Sequence, residues 1–341
     1  MTGEERLRLA SLLRARRDDL ADRATQMFYI RHPEWWERFG PQGRERTRQD
    51  SAYNIDFLAG AADTGSAESF AAYCLWSARM LESRGISREV LIDHYRDLKC
   101  LVAELPAPDA CYLSSLIDAG VAALRSGERP ESDAPDPSTS VFIDALLIGN
   151  RAAALAIALD YRAQGRSLLD VYTGLLEPSL YRIGSLWELN RISVAREHIA
   201  TAIVQYVMIR LFEYPGSTRP DQRALVTGVR GEQHQVGAMM IADMFSLYQW
   251  DVRFLGTDIP ETAILDSVQE FLPNMVAIST TMLFNVRQVR ELIGKCRTIV
   301  PTARVIVGGA VFRANPDLYQ EIHADGFAPD VKTAASLFAK N

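Results

Sequence analysis

Apolar residues recur every three or four positions through the first 125 residues, which is the spacing of helices that each bury one face. The pattern breaks at glycine, proline or serine, and no run of alternating β-branched residues interrupts it. It predicts helices over 5–30, 47–62, 67–84, 88–104 and 107–125. We therefore expect residues 1–125 to form an all-α, globin-like domain.

A segment of different composition follows at residues 126–139. It contains three prolines and four acidic residues but no large apolar side chain, so burial cannot offset the entropy lost on ordering it. We interpret this segment as a linker. The helical spacing then resumes with short connections, which predicts a four-helix bundle, a helical cap, over residues 140–216.

The pattern changes again at Ala224, where short apolar runs alternate with amphipathic stretches. The runs predict strands over 224–229, 251–256, 275–280, 304–309 and 326–330. The stretches predict helices near 236–249, 261–271, 286–298, 315–323 and 331–340. Because parallel neighbours need crossover helices, residues 217–341 should form a five-stranded, doubly wound parallel sheet of the flavodoxin-like type. The whole chain is then of class α + α/β.

Composition narrows the classes of function. Hydrophobic residues make up 48% of the chain and the net charge is −6, with no long basic run, no basic recognition helix and no wing hairpin. We therefore expect no nucleic-acid partner. No apolar stretch approaches the roughly 20 residues of a membrane span, and the N-terminus lacks a signal peptide. We expect a cytoplasmic protein without a membrane partner, whose four widely spaced cysteines are buried free thiols.

The loop after the first predicted strand carries the residues best suited to chemistry. It contains Glu232, His234 and Gly237 in the pattern ExHxxG, at the sheet edge where doubly wound folds bind ligands. An imidazole with a carboxylate two residues earlier suits a metal ligand held by a hydrogen-bond acceptor. The same spacing is also typical of a His–Glu pair on the surface. The residues at the ends of the other strands are needed to choose between these two interpretations.

The third and fourth predicted strands end in Ser279-Thr280-Thr281 and in Gly308-Gly309. Together with the first loop they give ExHxxG … SxT … GG, which resembles the cobalamin-binding domain family, whose usual pattern is DxHxxG … SxL … GG. Two positions depart from that pattern, since Glu232 replaces the usual Asp and Thr281 replaces the usual Leu. The preceding bundle also resembles the helical cap of this family.

The resemblance implies a function for each matching position. His234 would replace dimethylbenzimidazole as the lower cobalt ligand, and Glu232 would hold its imidazole. Ser279 and Thr281 would line the slot for the displaced nucleotide tail. Gly308 and Gly309 would leave room for the tail base.

A second pattern lies in the predicted cap, where Trp187 precedes Glu197-His198 by ten residues. A tryptophan that packs the bundle and an exposed ion pair would explain it equally well. Beside the His234 loop, however, Wx9EH resembles the cap of the adenosylcobalamin photoreceptors. The resemblance implies that Trp187 packs over the adenosyl group and Glu197 contacts its ribose. His198 would take the upper cobalt position after light breaks the cobalt–carbon bond.

The N-terminal domain is rich in aromatic, histidine and arginine residues. Core packing explains many of them, but aromatic rings and arginines also suit a flat, conjugated ligand that carries carboxylates. The residues concerned are His32, Trp35, Trp36, Phe39, Arg44, Arg46, Arg48, Tyr53, Tyr73, Trp76, His94 and Tyr95. Haem would need an axial ligand such as His94, whereas a bilin would not. An all-α, globin-like domain joined to such a cobalamin-binding half resembles the photocobilins, which implies non-covalent biliverdin, although attachment through Cys74 or Cys100 stays open.

These patterns predict a light sensor and not an enzyme. Adenosylcobalamin would be bound with His234 as its lower ligand, and biliverdin would be a second chromophore. No residue would act as a catalyst. Since the sequence ends at Asn341, directly after the predicted sheet, we expect the signal to pass to a separate output protein or through a homo-oligomer. The alternatives are a corrinoid carrier in methyl transfer and a protein that senses cobalamin supply.

Overall fold

The computed structural model describes residues 1–126 and 137–338. The chain divides into two compact units, Met1–Glu131 and Ser132–Asn341. Residues 127–136 of the predicted linker lie outside the described residues, as do the last residues of the helix predicted at 331–340. Within the described ranges, the helices are all too short or too polar to cross a bilayer.

The first unit is helical throughout its described residues, as the spacing of apolar residues predicts. Its helices are α1 (Gly3–Ala15), α2 (Arg17–Arg31), α3 (Glu34–Thr64), α4 (Ala67–Glu82), α5 (Arg88–Val102) and α6 (Ala107–Ser126). Their apolar faces meet in a core of its own, which includes Leu9, Leu13, Phe28, Ile55, Phe70, Ile92 and Ile117.

Two helix boundaries in this unit differ from prediction. The single helix predicted over 5–30 is two helices, because Arg16 leaves the helical conformation between them. The helix predicted over 47–62 extends back to Glu34, with a kink at Gly40, whose φ is 57°. Pro41 follows as the first residue of the resumed helix, where a missing N–H costs nothing.

The second unit begins with the helices of the predicted cap. These are α7 (Pro137–Leu147), α8 (Arg151–Ala163), α9 (Leu168–Val171), a π-helical segment (Tyr172–Leu176), α10 (Glu177–Glu188) and α11 (Val194–Leu211). The segment from Leu168 to Glu188 is one continuous helix, and we call it the long cap helix. Ser126 ends α6 and Pro137 begins α7, so helices include both ends of the predicted linker.

The sheet follows with five parallel strands in the order β2-β1-β3-β4-β5. The strands are β1 (Arg219–Val229), β2 (Trp250–Ile259), β3 (Met275–Ser279), β4 (Arg304–Gly308) and β5 (Gly326–Ala328). The helices between them are α12 (Val236–Leu247), α13 (Glu261–Phe271), α14 (Val286–Ile299), α15 (Ala310–Ala314), α16 (Leu318–Glu321) and α17 (Val331–Phe338). The helix predicted at 315–323 is thus two short helices. The strand order reverses between β1 and β3, which marks the crevice where such folds bind ligands.

The cap and the sheet share one hydrophobic core. Cap residues such as Tyr172 and Val204, helix residues such as Phe245 and strand residues such as Val226 and Ala277 belong to the same buried cluster. This common core holds the cap against the α12 and α17 face of the sheet.

Candidate functional site

The strand register brings the three predicted loops to one edge of the sheet. Gly228 of β1 is paired with Ser279 of β3, and Ser279 is paired with Gly308 of β4. Because all three strands are parallel, the segments that follow them leave the sheet side by side. Gly228 and Ser279, which are 51 positions apart in sequence, are therefore neighbours here.

Glu232 lies at the centre of this edge and is completely buried. Its Oε1 accepts from the Nδ1 of His234 at 2.6 Å and from the His234 backbone N–H at 3.1 Å. Its Oε2 accepts from the Thr281 backbone N–H at 2.7 Å and from Asn285 Nδ2 at 3.4 Å. One carboxylate thus fixes both the loop after β1 and the loop after β3.

These hydrogen bonds keep Glu232 ionised. Burial by itself would raise the pKa of Glu232, but the hydrogen bonds from His234 and from the Thr281 backbone outweigh it and lower the pKa below its ordinary value. The Glu232 side chain is long enough to reach the imidazole of His234 directly.

The imidazole of His234 is arranged as a ligand would require. Its side chain is 51% exposed, while the carboxylate that holds it is not exposed at all. With Nδ1–H donated to Glu232, the lone pair lies on Nε2. A neutral imidazole oriented by a carboxylate through its other nitrogen is the usual arrangement of a metal-bound histidine.

The segment after β3 contributes mainly its backbone. Thr281 binds Glu232 through its N–H, and Ser279 lies half-buried at the end of the strand. Thr280, to which the sequence pattern gave no separate function, is fully buried and donates its N–H to Gly308 O at 2.9 Å. Among the described residues its hydroxyl has no hydrogen-bond partner. The sequence pattern did not predict a function for Asn285, because an asparagine in a short 3-10 turn gives no signal of a buried contact.

The two glycines after β4 are required by the backbone around them. A Cβ on Gly308 would lie 3.0 Å from Ala328 O, and one on Gly309 would lie 2.3 Å from Thr280 O. Gly309 also has a φ of 102°, which L side chains rarely adopt. Gly237 differs, because no atom lies within 4 Å of its Cβ position in the first turn of α12.

The cap residues form a second group. Trp187 lies in the last turn of α10 and packs against the common core. Glu197 lies in the first turn of α11, pairs with the Nδ1 of His198 and accepts from Thr201 Oγ1 at 2.9 Å. The side chain of His198 is 74% exposed and that of Glu197 is 26% exposed. The carboxylate therefore orients this imidazole as Glu232 orients His234.

In the first unit, His94 is buried and its Nε2 has no hydrogen-bond partner among the described residues. Burial lowers the pKa of His94 to about 4, although Asp97 acts in the opposite direction. The imidazole is therefore neutral at pH 7. The hydroxyls of Tyr73 and Tyr95 have a partner, since both donate to Asn54 Oδ1 at 3.0 Å.

The other aromatic side chains predicted to form a pocket also pack within the first unit. Trp35 packs edge-on against Phe28 with ring centroids 5.2 Å apart, and Tyr73 stacks on Phe57 at 3.6 Å. Trp36 and Tyr53 are exposed. Of the remaining predicted residues, Phe39 packs on Trp35 and Trp76 stacks on Tyr73. His32 lies near Asp93, and Arg48 pairs with Glu45. Arg44 and Arg46 are exposed.

All four cysteines are free thiols, as predicted. Cys74 and Cys296 are buried, but Cys100 and Cys111 are exposed, so the prediction that all four are buried was wrong. Both exposed cysteines lie on helices whose opposite faces form the core.

Comparison with protein families identifies the second unit. Residues 222–337 match the model of the B12 binding domain, and residues 141–211 match a second model with the same description. The chain contains B12-binding domains. The first match covers the sheet with the His234 loop, and the second covers the B12-binding cap.

The similar proteins include a transcriptional repressor and corrinoid proteins. The HTH-type transcriptional repressor CarA of Myxococcus xanthus is 28% identical over 106 residues, which are 31% of this chain and 35% of CarA. Dimethylamine corrinoid protein 1 of Methanosarcina mazei is 24% identical over 196 residues, or 56% of this chain and 89% of that protein. The chain therefore spans about a third of CarA and most of the corrinoid protein.

Among solved structures, the monomethylamine corrinoid protein of Methanosarcina barkeri superposes with a TM-score of 0.49 at 17% identity. That superposition covers 58% of this chain and 95% of the other.

Proposed function

We propose that this protein is a light sensor that binds adenosylcobalamin in its second unit. The observation that carries the proposal is the exposed imidazole of His234, held by a fully buried carboxylate at the switch point of a B12-binding sheet. Trp187 and the Glu197-His198 pair in the cap favour the adenosyl form and a response to light.

The residues present fit this cofactor. His234 would hold the lower side of cobalt through Nε2, and Glu232 would keep the ring in place. Ser279, Thr281 and the open space beside Gly237 would border the tail, and the unpartnered Thr280 hydroxyl offers a further polar contact. Gly308 and Gly309 keep the backbone at this edge close-packed.

Adenosylcobalamin supplies a cobalt–carbon bond that visible light breaks. In the cap, Trp187 would exclude water and retard loss of the upper group in the dark. Glu197 would contact the upper group, and His198 would occupy the upper side after illumination. The resulting cap movement would alter self-association or the binding of a separate output protein.

The proposal predicts a light-dependent spectrum that requires His198. Absorption spectra of the full chain with adenosylcobalamin, recorded in the dark and after green light, should show loss of the alkylcobalamin bands. His198→Ala should keep dark binding within about threefold but lose the stable photoproduct spectrum, since the residue acts only after illumination. His323→Asn, a substitution of an exposed histidine between α16 and β5, is the control and should behave like the parent.

Size-exclusion chromatography of the same samples tests the output. A change in elution volume only after illumination supports the sensor. A change caused by cobalamin in the dark would instead indicate a sensor of cofactor supply. An unchanged alkylcobalamin spectrum after illumination would refute the light-sensing function.

We further propose that the first unit binds biliverdin without a covalent bond. The buried, neutral His94 has an unpartnered Nε2, which is a fitting contact for a polar group of a tetrapyrrole. The full chain mixed with biliverdin should develop a red absorption band that residues 132–341 alone do not develop. His94→Phe should weaken binding at least tenfold. A Soret band with haem, and no red band with biliverdin, would contradict this proposal and favour haem.

A corrinoid carrier in methyl transfer is the second candidate, because the likeness to dimethylamine corrinoid protein 1 extends over 89% of that protein. For a carrier, methylcobalamin should bind at least as tightly as adenosylcobalamin, and illumination should leave the elution volume unchanged. The spectra and chromatography described above distinguish the two candidates.

A further inference from the structure

One hydrogen bond joins the cap to the sheet inside their common core. The hydroxyl of Tyr172, on the long cap helix, donates to Asp243 Oδ2 on α12 at 2.5 Å. Tyr172 is fully buried and Asp243 is partly buried. Because a buried polar group without a partner is costly, each of these side chains depends on the other.

The two residues connect the elements that carry both predicted faces of the cofactor site. Helix α12 begins two residues after His234, and Asp243 lies two turns further along it. Within the long cap helix, Tyr172 and Trp187 are separated by about 22 Å at 1.5 Å per residue. The hydrogen bond therefore connects α12, which follows the His234 loop, to the helix that carries Trp187.

The cap helix is irregular where this bond anchors it. Tyr172 begins the π-helical segment, in which the Glu177 N–H bonds to Tyr172 O, five residues earlier. A Cβ on Gly174 in this segment would lie 2.6 Å from Tyr161 Oη, so only a glycine fits without a shift. Such π segments interrupt α-helices mostly at functional positions, because one extra residue changes the direction of the side chains that follow.

We infer that Tyr172 and Asp243 are positioning residues that hold the cap closed on the sheet, and that their hydrogen bond breaks when the cap opens. The inference deepens the proposed function, since the cap is the element we propose to move. Its test requires neither light nor cobalamin, so the two can fail separately.

The surroundings of Asp243 make this opening dependent on pH. Burial raises the pKa of Asp243 to about 6, although the bond from Tyr172 opposes that shift. Strands β1 and β3 present apolar side chains to α12. The charged groups nearby act on other partners: Arg162 lies close to Tyr172 but bonds to Leu211 O, and Lys332 of α17 acts on Asp170.

The direction of the pH effect follows from the different pKa values of Asp243 in the closed and the opened cap. In the closed cap the protonated carboxyl is favoured, whereas an opened cap exposes Asp243 to water, where its ordinary pKa is 3.8. The closed state therefore loses stability as pH rises towards 6. Raising the pH from 5 to 7 should increase the opening equilibrium about tenfold.

Hydrogen exchange of the cofactor-free full chain, measured by mass spectrometry as protection factors between pH 5 and 7, tests this inference. In the parent, protection over 177–188 should fall about tenfold across this range. Tyr172→Phe should lower it at least tenfold at pH 5. Asp243→Asn keeps an acceptor for Tyr172 but cannot ionise, so it should retain protection and show no pH dependence. Thr173→Val removes a hydroxyl that bonds within the same helix, to Leu169 O at 2.9 Å, and is the matched control.

Equal protection in the parent, Tyr172→Phe and Thr173→Val would overturn the inference. If Tyr172→Phe does not fold, Asp243→Asn decides: a pH dependence equal to that of the parent would also overturn it. Loss of protection spread evenly over all of residues 137–338 would indicate a general stabilising contact and not a hinge of the cap.

Discussion

Replacing His234 with alanine should abolish the spectrum of histidine-ligated cobalamin. It should also weaken cobalamin binding by about tenfold to a hundredfold or more. Removing the hydrogen-bond partner of a metal-bound histidine already costs about that much. The fold should be unaffected, because the His234 side chain is 51% exposed and Glu232 keeps its bonds to the β3 loop. Equilibrium titration followed by absorption spectroscopy measures both effects.

Two variants make this experiment specific. Gln233→Ala changes an exposed neighbour in the same loop and should bind cobalamin like the parent. Glu232→Gln removes the charge but retains an acceptor, so it should bind with intermediate affinity. If His234→Ala bound cobalamin with the parent's affinity and spectrum, the site would not lie at this edge of the sheet.

Gly309→Ala should be among the most destabilising single substitutions in the second unit. Its Cβ would lie 2.3 Å from Thr280 O, and the residue would keep a φ of 102° that alanine disfavours. We expect a loss of at least about 3 kcal/mol, because strain and a backbone clash are combined. Native-state hydrogen exchange of the β3 and β4 amides reports this loss.

Gly294→Ala is the matched control for that substitution. Gly294 lies within α14, and no atom lies within 4 Å of its Cβ position. Alanine there should be neutral or should stabilise the helix by up to about 1 kcal/mol. Equal stability of the two variants would show that the backbone between β3 and β4 can shift at little cost and that Gly309 is not required there.

The sequence alone was sufficient for the type and order of most elements and for the pairing of His234 with Glu232. The spacing of apolar residues indicates whether a segment is a helix or a strand and which of its faces is buried. The sheet position of His234 followed from the same pattern, since a loop after the first parallel strand must lie at the carboxyl edge. The pair Glu232 and His234, two residues apart, is a local contact.

Local breaks were harder to predict. The spacing of apolar residues runs without interruption through Arg16, yet the backbone turns there. The reverse holds at Gly40-Pro41, where a sequence that usually ends a helix occurs inside α3. In both cases packing against other helices decides the path of the chain, and local preferences are too small to oppose it.

Only the tertiary structure decided the contacts between distant residues. Glu232 meets the Thr281 N–H across 49 positions and Asn285 across 53, and Tyr172 meets Asp243 across 71. Nothing in the spacing of these residues marks them as partners, because strand order and cap docking bring them together. A buried hydrogen bond depends on a few tenths of an ångström in donor and acceptor positions. A pattern of apolar and polar residues determines which face is buried, and it does not determine positions that finely.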